Sequence, residues 1–191
     1  ASRSRTRFSR ASLPCCSPPA SAVALAGSYA LVGDEDANSL SGNSVGQAYF
    51  YKQDSHGQWS DEPVLILEVP EDHFGNDDAH DDFDRPVYYF GHDVAMTENY
   101  AAVSTYQATG GFVAIYLHVD GEGWRTVPDV ILLAPNSVLA SYFGNSIALT
   151  DTYLAVGCHD IYSNHDLGVY VYSRGDGGWG VEPQQVLVET A

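Results

Sequence analysis

The sequence predicts an all-β fold made of repeated units of short antiparallel strands. Thirteen Tyr, three Trp and 18 Gly stand against a single Met, and this composition favours strands and tight turns over helices. The apolar runs are short and end at Gly, Asp, Asn or Ser, as half-buried and buried strands do. No long stretch has the apolar spacing of an amphipathic helix. A length of 191 residues with 45% hydrophobic content suits one domain or part of a larger one.

A repeated segment shows how the chain is organised. Residues 142–156 read Tyr-Phe-Gly-Asn-Ser-Ile-Ala-Leu-Thr-Asp-Thr-Tyr-Leu-Ala-Val, and residues 89–103 read Tyr-Phe-Gly-His-Asp-Val-Ala-Met-Thr-Glu-Asn-Tyr-Ala-Ala-Val. The two segments match position by position in aromatic, glycine, small and aliphatic character. A third copy, which lacks the Phe-Gly, lies at residues 23–33. Self-similarity over tens of residues predicts a repeat architecture.

Each unit is predicted to hold four strands. In the third unit, strands at 146–150 and 153–157 are followed by a polar loop, a strand at 168–172, and a last strand that begins at Trp179 and runs to Val188. Trp59, Trp124 and Trp179 fall at equivalent places, which indicates packing between units. Four short strands in about fifty residues is the pattern of β-propeller blades, which bury one another's faces. We therefore expect residues 23–25, 29–32, 94–96 and 101–103 to be interior.

The repeats divide the chain into an arm and about three blades. Residues 1–21 form a basic, Ser- and Pro-rich arm with four Arg and no acidic residue, which resembles a transit-peptide remnant or a disordered arm. A basic tether to an acidic subunit is the alternative. The first blade spans 22–88 with an acidic insertion at 71–84, the second spans 89–141, and the third spans 142–191. So few blades do not close a ring, which predicts a fragment, an open stack, or completion by other copies or subunits.

The blade residues resemble the FG-GAP repeat of integrin α-subunits over roughly 22–191. The shared features are a Phe-Gly before a small aliphatic strand, an apolar strand that ends in Gly, a variable acidic loop, a Tyr-rich strand and a later Trp. Phe90-Gly91 and Phe143-Gly144 carry the dipeptide, and Pro19-Ala20 stands there in the first unit. The resemblance implies a propeller in a secreted or cell-surface protein. The arm favours an organelle lumen as the alternative location.

The charge of the chain restricts its partners. The formal net charge is −17, and residues 11–191 carry −21 because four of the eight basic residues lie in the arm. Such a body repels phosphate groups, so nucleic acid and anionic membrane surfaces are excluded as partners, and cations or basic protein surfaces are favoured. No apolar run approaches the roughly 20 residues of a membrane span.

The loop at 34–46 is a candidate calcium site. Asp34, Asp36 and Asn38 place side-chain oxygens at alternate positions, from which they could converge on a hard cation such as Ca²⁺. The resemblance implies the same, since this loop corresponds to the calcium loop of FG-GAP repeats, although Gly42 stands where the final Asp ligand falls. An acidic solvated loop whose side chains cap turns is the alternative.

The acidic insertion is a candidate docking site for a partner with a basic surface. Its carboxylates are Glu71, Asp72, Asp77, Asp78, Asp81, Asp82 and Asp84. The alternatives are a self-repelling solubilising loop and a metal site. The three cysteines match no disulfide framework and no zinc spacing, and Cys158 is expected to be a buried thiol at a strand end.

The sequence carries no nucleophile elbow, metal-binding helix or phosphate-binding glycine motif. We therefore expect a non-enzymatic module for protein–protein interaction or structural support, such as an accessory subunit of a larger assembly, with no certain cofactor. A calcium-dependent adhesion or ligand-binding domain is the first alternative. The second is a carbohydrate-active or hydrolytic propeller enzyme, which requires a pair of carboxylates at one blade end.

Overall fold

A computed structural model describes residues 20–38, 45–70, 89–106, 111–135, 142–158 and 168–188. Within these ranges the chain forms fourteen β-strands and no helix, arranged as three antiparallel sheets that follow one another along the chain. The all-β prediction is confirmed. In the described residues no helix has the length and apolar character needed to cross a membrane.

The first sheet consists of β1 (Ala22–Ala26), β2 (Tyr29–Asp34), β3 (Gln47–Lys52) and β4 (Leu65–Leu67). The second sheet consists of β5 (Val94–Met96), β6 (Tyr100–Ser104), β7 (Phe112–Val119), β8 (Gly123–Trp124) and β9 (Val130–Leu133). The third sheet consists of β10 (Ser146–Leu149), β11 (Tyr153–Cys158), β12 (Gly168–Gly175), β13 (Gly178–Trp179) and β14 (Gln185–Val188).

The three sheets share one register. In each sheet a valine of the second strand pairs with an aliphatic residue of the first: Val32 with Val23, Val103 with Val94, and Val156 with Ile147. Directly opposed residues of an antiparallel pair lie on the same face of the sheet. The sequence repeat is therefore also a repeat of strand pairing, and the sheets can be compared position by position.

The predicted last strand of the third unit is wrong in its extent. Instead of one strand from Trp179 to Val188, the chain forms the short β13, a connection at 180–184, and then β14. Pro183 lies in the connection and has no N–H to donate to a neighbouring strand. A Pro follows each Trp at the same spacing in every unit, as Trp59–Pro63, Trp124–Pro128 and Trp179–Pro183 show. This recurring Trp–Pro spacing is a signal of the break.

The core lies in two layers between the sheets. Leu31, Phe50 and Leu67 of the first sheet pack against Val103 and Tyr116 of the second. On the other face of the second sheet, Ala102, Ile115 and Leu132 of β6, β7 and β9 pack against Leu154 and Tyr172 of the third sheet. All five residues of β6 are buried. The second sheet is thus covered on both faces, and the alanines of β6 allow its neighbours to approach closely.

The two Phe-Gly pairs form tight turns before β5 and β10. The rings of Phe90 and Phe143 are fully buried. Gly91 and Gly144 have φ of 90° and 93°, where residues with a side chain are strained. A Cβ on Gly91 would lie 2.4 Å from the carbonyl oxygen of Gln47. Each Phe-Gly pair therefore combines a buried ring with a glycine whose backbone conformation disfavours a side chain.

The expectation that residues 23–25 are interior is wrong for Val23 and Leu25, whereas Ala24 is partly buried against the core. Val23 is 70% exposed and Leu25 is 69% exposed. Both lie on the face of the first sheet that points away from the second sheet, and no described residue covers that face. In contrast, Leu31 and residues 101–103 are buried as expected. An apolar strand pattern shows which face prefers burial, but it does not supply the neighbour that buries it.

Candidate functional site

The candidate site lies at one end of the sheets, which we call the loop end. Here β2 and β6 end, and the Phe-Gly turns lead into β5 and β10. Asp34 and Glu35 stand at the end of β2, and Tyr106 follows β6 at the position equivalent to Glu35. The predicted partner-binding carboxylates at 71–84 lie outside the described residues, so that prediction stays a prediction.

Asp34 is the most unusual residue of the loop end. It is only 5% exposed, and its Oδ1 atom has no hydrogen-bond partner. Burial raises the pKa of Asp34 above its usual value, and the charges of Asp36 and Glu35 raise it further, while backbone hydrogen bonds at Asp36 and Ala37 oppose the shift. Burying a carboxylate without full hydrogen bonding is costly. Asp34 therefore carries a cost that a neutral residue would not.

The equivalent positions of the other sheets hold neutral residues. Thr105 follows β6 and is fully buried, with its Oγ1 accepting a hydrogen bond of 2.8 Å from the Phe112 N–H. Cys158 ends β11 and is buried, as expected from the sequence. A hydroxyl or a thiol thus fits the position without an uncompensated charge. The carboxylate of Asp34 is the exception, which marks it as a candidate functional residue.

The structure separates the three predicted calcium ligands by burial. Asp34 is buried, whereas Asp36 and Asn38 are exposed, and the Ala37 N–H donates to the Asp34 carbonyl at 3.2 Å within the turn between them. In the part of the chain that the structure describes, no group of three or more His, Cys, Asp or Glu side chains is placed to hold a metal ion. Residues 39–44, which include Gly42, lie outside it. The calcium site stays a prediction.

A polar network lies beside Asp34 on the first sheet. Gln47, which pairs with Asp34 across the strands, donates from Nε2 to Glu68 Oε1 at 2.6 Å. The Tyr49 hydroxyl donates to Gln47 Oε1 at 2.7 Å. Burial raises the pKa of Tyr49 to about 12, and the negative charge of Asp34 contributes to the shift. Tyr49 therefore stays neutral at physiological pH and donates to Gln47, which in turn donates to Glu68.

Glu35 joins the first sheet to the second. Its Oε2 lies 2.5 Å from Nδ1 of His92, which belongs to the turn that leads into β5. Both side chains are partly exposed. A carboxylate accepts the hydrogen bond, so the Nδ1–H of His92 donates it. The two residues are 57 positions apart, and no local sequence pattern linked them.

Three rings form a stack along the loop end, which we call the aromatic ladder. It consists of His92, Tyr106 and Tyr142. The His92 and Tyr106 ring centroids are 4.4 Å apart with planes at 23°, and those of Tyr106 and Tyr142 are 4.5 Å apart at 16°. Tyr89 meets Tyr106 edge-on at 6.3 Å and has a φ of 50°, which is uncommon for a bulky residue. The ladder spans the second and third sheets.

Sequence reasoning missed the ladder, although one signal pointed to it. Tyr89 and Tyr142 occupy the same position before each Phe-Gly, so the repeat places two tyrosines at one end of neighbouring sheets. Stacked rings beside a carboxylate offer a flat apolar surface with a hydrogen-bond acceptor. Such a surface suits a protein side chain or a planar ligand group.

The opposite end of the sheets has a shallow depression of about 310 Å³ lined by residues 122–127. Its lining contains one carboxylate, that of Glu122, and one Arg, Arg125. A glycosidase requires two carboxylates that flank the scissile bond. The depression therefore gives no support to the carbohydrate-active alternative.

Comparison with protein-family models and with curated protein sequences finds no match for this chain.

Proposed function

We propose that this chain is a non-enzymatic FG-GAP-like propeller module that serves in protein–protein interaction or structural support as an accessory subunit of a larger assembly. The observation that carries the proposal is the repeated register of three antiparallel sheets that pack face to face, with the second sheet buried on both faces. Repeat proteins use such stacks as scaffolds and present variable loops for binding.

The contrast between core and loop end supports an interaction role. The packing positions repeat, as Phe90 and Phe143 do in the two turns. The loop-end positions differ, as Asp34, Thr105 and Cys158 do. This contrast is typical of a module that binds its partner through loops carried on a repeated scaffold. The net charge of −17 favours a partner with a basic surface.

A calcium-dependent binding domain is the second candidate, and Asp34 favours it. A buried carboxylate oxygen without a hydrogen-bond partner is the kind of group that a hard cation completes. Asp36 and Asn38 follow in the same loop. In this version of the proposal, Asp34, Asp36 and Asn38 bind Ca²⁺, and the calcium-bound loop contacts the partner.

The test compares two variants with the same change in charge. Glu35→Gln with Asp36→Asn neutralises the loop end, and Asp120→Asn with Glu122→Gln neutralises the exposed hairpin at the opposite end. Binding of immobilised Lys- and Arg-rich peptides is measured for both variants and for the unmodified chain. We expect the loop-end variant to lose about fivefold in affinity, since two ion pairs of about 0.5 kcal/mol each are removed, and the hairpin variant to lose less than about twofold.

Two results would contradict the proposal. Equal losses in both variants would mean that the peptides respond to net charge alone and not to the loop end. Turnover of a chromogenic glycoside, ester or phosphate substrate by the purified, folded chain would show that it is an enzyme. Titration with CaCl₂ in a calorimeter decides the calcium version, because heat that disappears in Asp34→Asn supports it and the absence of heat removes it.

A further inference from the structure

The outer faces of the first and third sheets are apolar and are not covered by any described residue. The front face of the first sheet presents Val23, Leu25, Val32, Tyr49, Tyr51 and Ile66, with Asp34 and Gln47 at its loop end. The back face of the third sheet presents Tyr153, Ala155, Val169, Val171 and Leu187, together with the polar Ser173 and Gln185. Contiguous exposed apolar surface of this kind marks an interaction site.

The back face is made of positions that are buried in the other sheets. Tyr153 is 51% exposed, whereas Tyr100, its equivalent in the second sheet, is 6% exposed. Leu187 is 48% exposed, and its equivalent Leu132 is fully buried. In the second sheet these positions are covered by the third sheet. The back face of the third sheet therefore has the composition of a face that carries another sheet.

The front face of the first sheet is likewise exposed at positions whose equivalents in the other sheets are buried. Val23 is 70% exposed, whereas its equivalent Val94 is 5% exposed. Tyr51 is half-buried, and its equivalents Tyr116 and Tyr172 are fully buried. In the second and third sheets these positions pack against the back face of the sheet that precedes them in the chain. No described residue covers the front face of the first sheet in this way.

One aromatic contact joins the sheets twice in the same geometry. Tyr29 of the first sheet meets Trp124 of the second with ring centroids 5.9 Å apart and planes at 88°. Tyr100 of the second sheet meets Trp179 of the third at 5.5 Å and 90°. Each contact pairs the Tyr that begins a second strand with the Trp of the following sheet.

The two remaining members of this series have no such partner in the described structure. Tyr153 occupies the Tyr position on the back face of the third sheet and is 51% exposed. Trp59 pairs with Gln53 as Trp124 pairs with His118, and it is 40% exposed at the front of the first sheet. In the described structure, Tyr153 on the back face of the third sheet thus lacks a contacting Trp, and Trp59 on the front face of the first sheet lacks a contacting Tyr.

We propose that two copies of this chain associate head to tail. The front face of the first sheet of one copy packs on the back face of the third sheet of the other copy, and Trp59 of the former meets Tyr153 of the latter edge-on. The interface continues the one that already joins the first sheet to the second and the second to the third. This inference rests on the proposed function, because it identifies a second copy of the chain as a binding partner. The two surfaces differ, so the contact is heterologous, and further copies add in the same direction until a ring closes or a filament grows.

The charge of the chain sets the salt dependence of this contact. Two copies at −17 each repel one another, and the docking faces are apolar. Raising NaCl from about 0.05 M to about 0.5 M shortens the screening length from about 14 Å to about 4 Å. Association between copies therefore strengthens with salt, whereas binding of a basic peptide at the loop end weakens.

The experiment blocks one face at a time. Leu25→Glu places a charge on the front face and Leu187→Glu places one on the back face. Leu25 is 69% exposed and Leu187 is 48% exposed, so the fold tolerates the change. Val127→Glu is the matched control, because Val127 is 71% exposed and lies on neither face. Sedimentation velocity is recorded for the full chain and each variant over about two decades of concentration around the micromolar range, and circular dichroism confirms folding.

The unmodified chain and Val127→Glu are expected to form species of increasing mass as the concentration rises. Leu25→Glu alone keeps an intact back face but no intact front face, and Leu187→Glu alone keeps the reverse. Each variant by itself therefore stays monomeric. An equimolar mixture of the two forms dimers and nothing larger, because each variant supplies the face that the other has lost. Addition of salt shifts all associating samples toward the larger species.

Three outcomes would overturn the proposal. The first is an unmodified chain that stays monomeric at every concentration and salt level. The second is association abolished by only one of the two face variants, which indicates a face paired with itself. The third is a mixture that stays monomeric. None of these alters the peptide binding at the loop end, so failure of the head-to-tail contact and failure of the interaction role are separate results.

Discussion

At the scale of single residues, the buried carboxylate of Asp34 sets a pH dependence. Burial raises the pKa of Asp34 in the folded chain, so the folded state holds its proton more tightly than the unfolded state. The stability from this group is fully present below the unfolded pKa and is lost as the pH rises through the folded pKa. Asp34→Asn is expected to stabilise the chain by about 1 kcal/mol at pH 7, with the gain vanishing below about pH 4.

Urea unfolding at pH 7 and at low pH measures this effect. Asp120→Asn is the control, because Asp120 is exposed at the opposite end of the sheets and surface substitutions change stability by less than about 0.5 kcal/mol. A loss of stability in Asp34→Asn at pH 7 without calcium would contradict the interpretation. Addition of CaCl₂ separates the two roles of Asp34, because a bound cation stabilises the unmodified chain and not the variant.

The glycines of the Phe-Gly turns allow a second prediction at this scale. Gly91→Ala combines a φ of 90° with a Cβ placed 2.4 Å from a backbone oxygen. Gly57→Ala has a similar φ of 78° but meets no atom within 4 Å. We expect Gly57→Ala to cost about 1 kcal/mol from backbone strain alone and Gly91→Ala to cost about 3 kcal/mol or more. Equal costs in chemical denaturation would show that close approach is unimportant.

At the scale of elements, the sheet-to-sheet contacts decide the stability of the stack. Trp124 stacks on Phe50 at 4.8 Å and meets Tyr29 edge-on, whereas Trp59 occupies the equivalent position and is exposed. Trp124→Ala is expected to destabilise the chain by about 3 kcal/mol. Trp59→Ala is expected to cost less than about 1 kcal/mol in dilute solution. Thermal unfolding at low concentration checks the pair, and similar losses would contradict the packing described for the first two sheets.

The strands themselves were largely predictable from the sequence. The matching segments around Val103 and Val156 predicted the first two strands of the second and third units, and the strand pairing of the structure repeats with them. The break before β14 was missed, although Pro63, Pro128 and Pro183 recur at one distance from each Trp. Because proline has no N–H to donate to a neighbouring strand, a Pro inside a predicted strand indicates a break.

The loop end was less predictable for a physical reason. Asp34 was chosen because it begins an acidic loop, but its burial depends on the end of the first sheet being covered, which no local pattern encodes. The contact between Glu35 and His92 joins residues from different sheets. The aromatic ladder likewise depends on how the second and third sheets are placed side by side. Contacts of this kind follow from packing between units and not from the spacing within one unit.

At the scale of the whole molecule, the charge opposes compactness. A net charge of −17 on 191 residues repels itself in the folded state more than in the expanded unfolded state, and salt screens the short-range part of that repulsion. We expect the melting temperature of the dilute chain to rise by several degrees when NaCl is raised from about 0.05 M to about 0.5 M. Scanning calorimetry at a concentration below association measures the shift.

The same titration with an uncharged osmolyte separates screening from a general solvent effect. Sucrose stabilises by exclusion from the surface and leaves the charges unscreened. If repulsion matters, Glu35→Gln with Asp36→Asn reduces the response to salt and leaves the response to sucrose unchanged. A melting temperature that falls with salt would show that ion pairs outweigh repulsion. The few cations of this acidic chain would then stabilise the fold through specific pairs, and the long-range field would be the smaller influence.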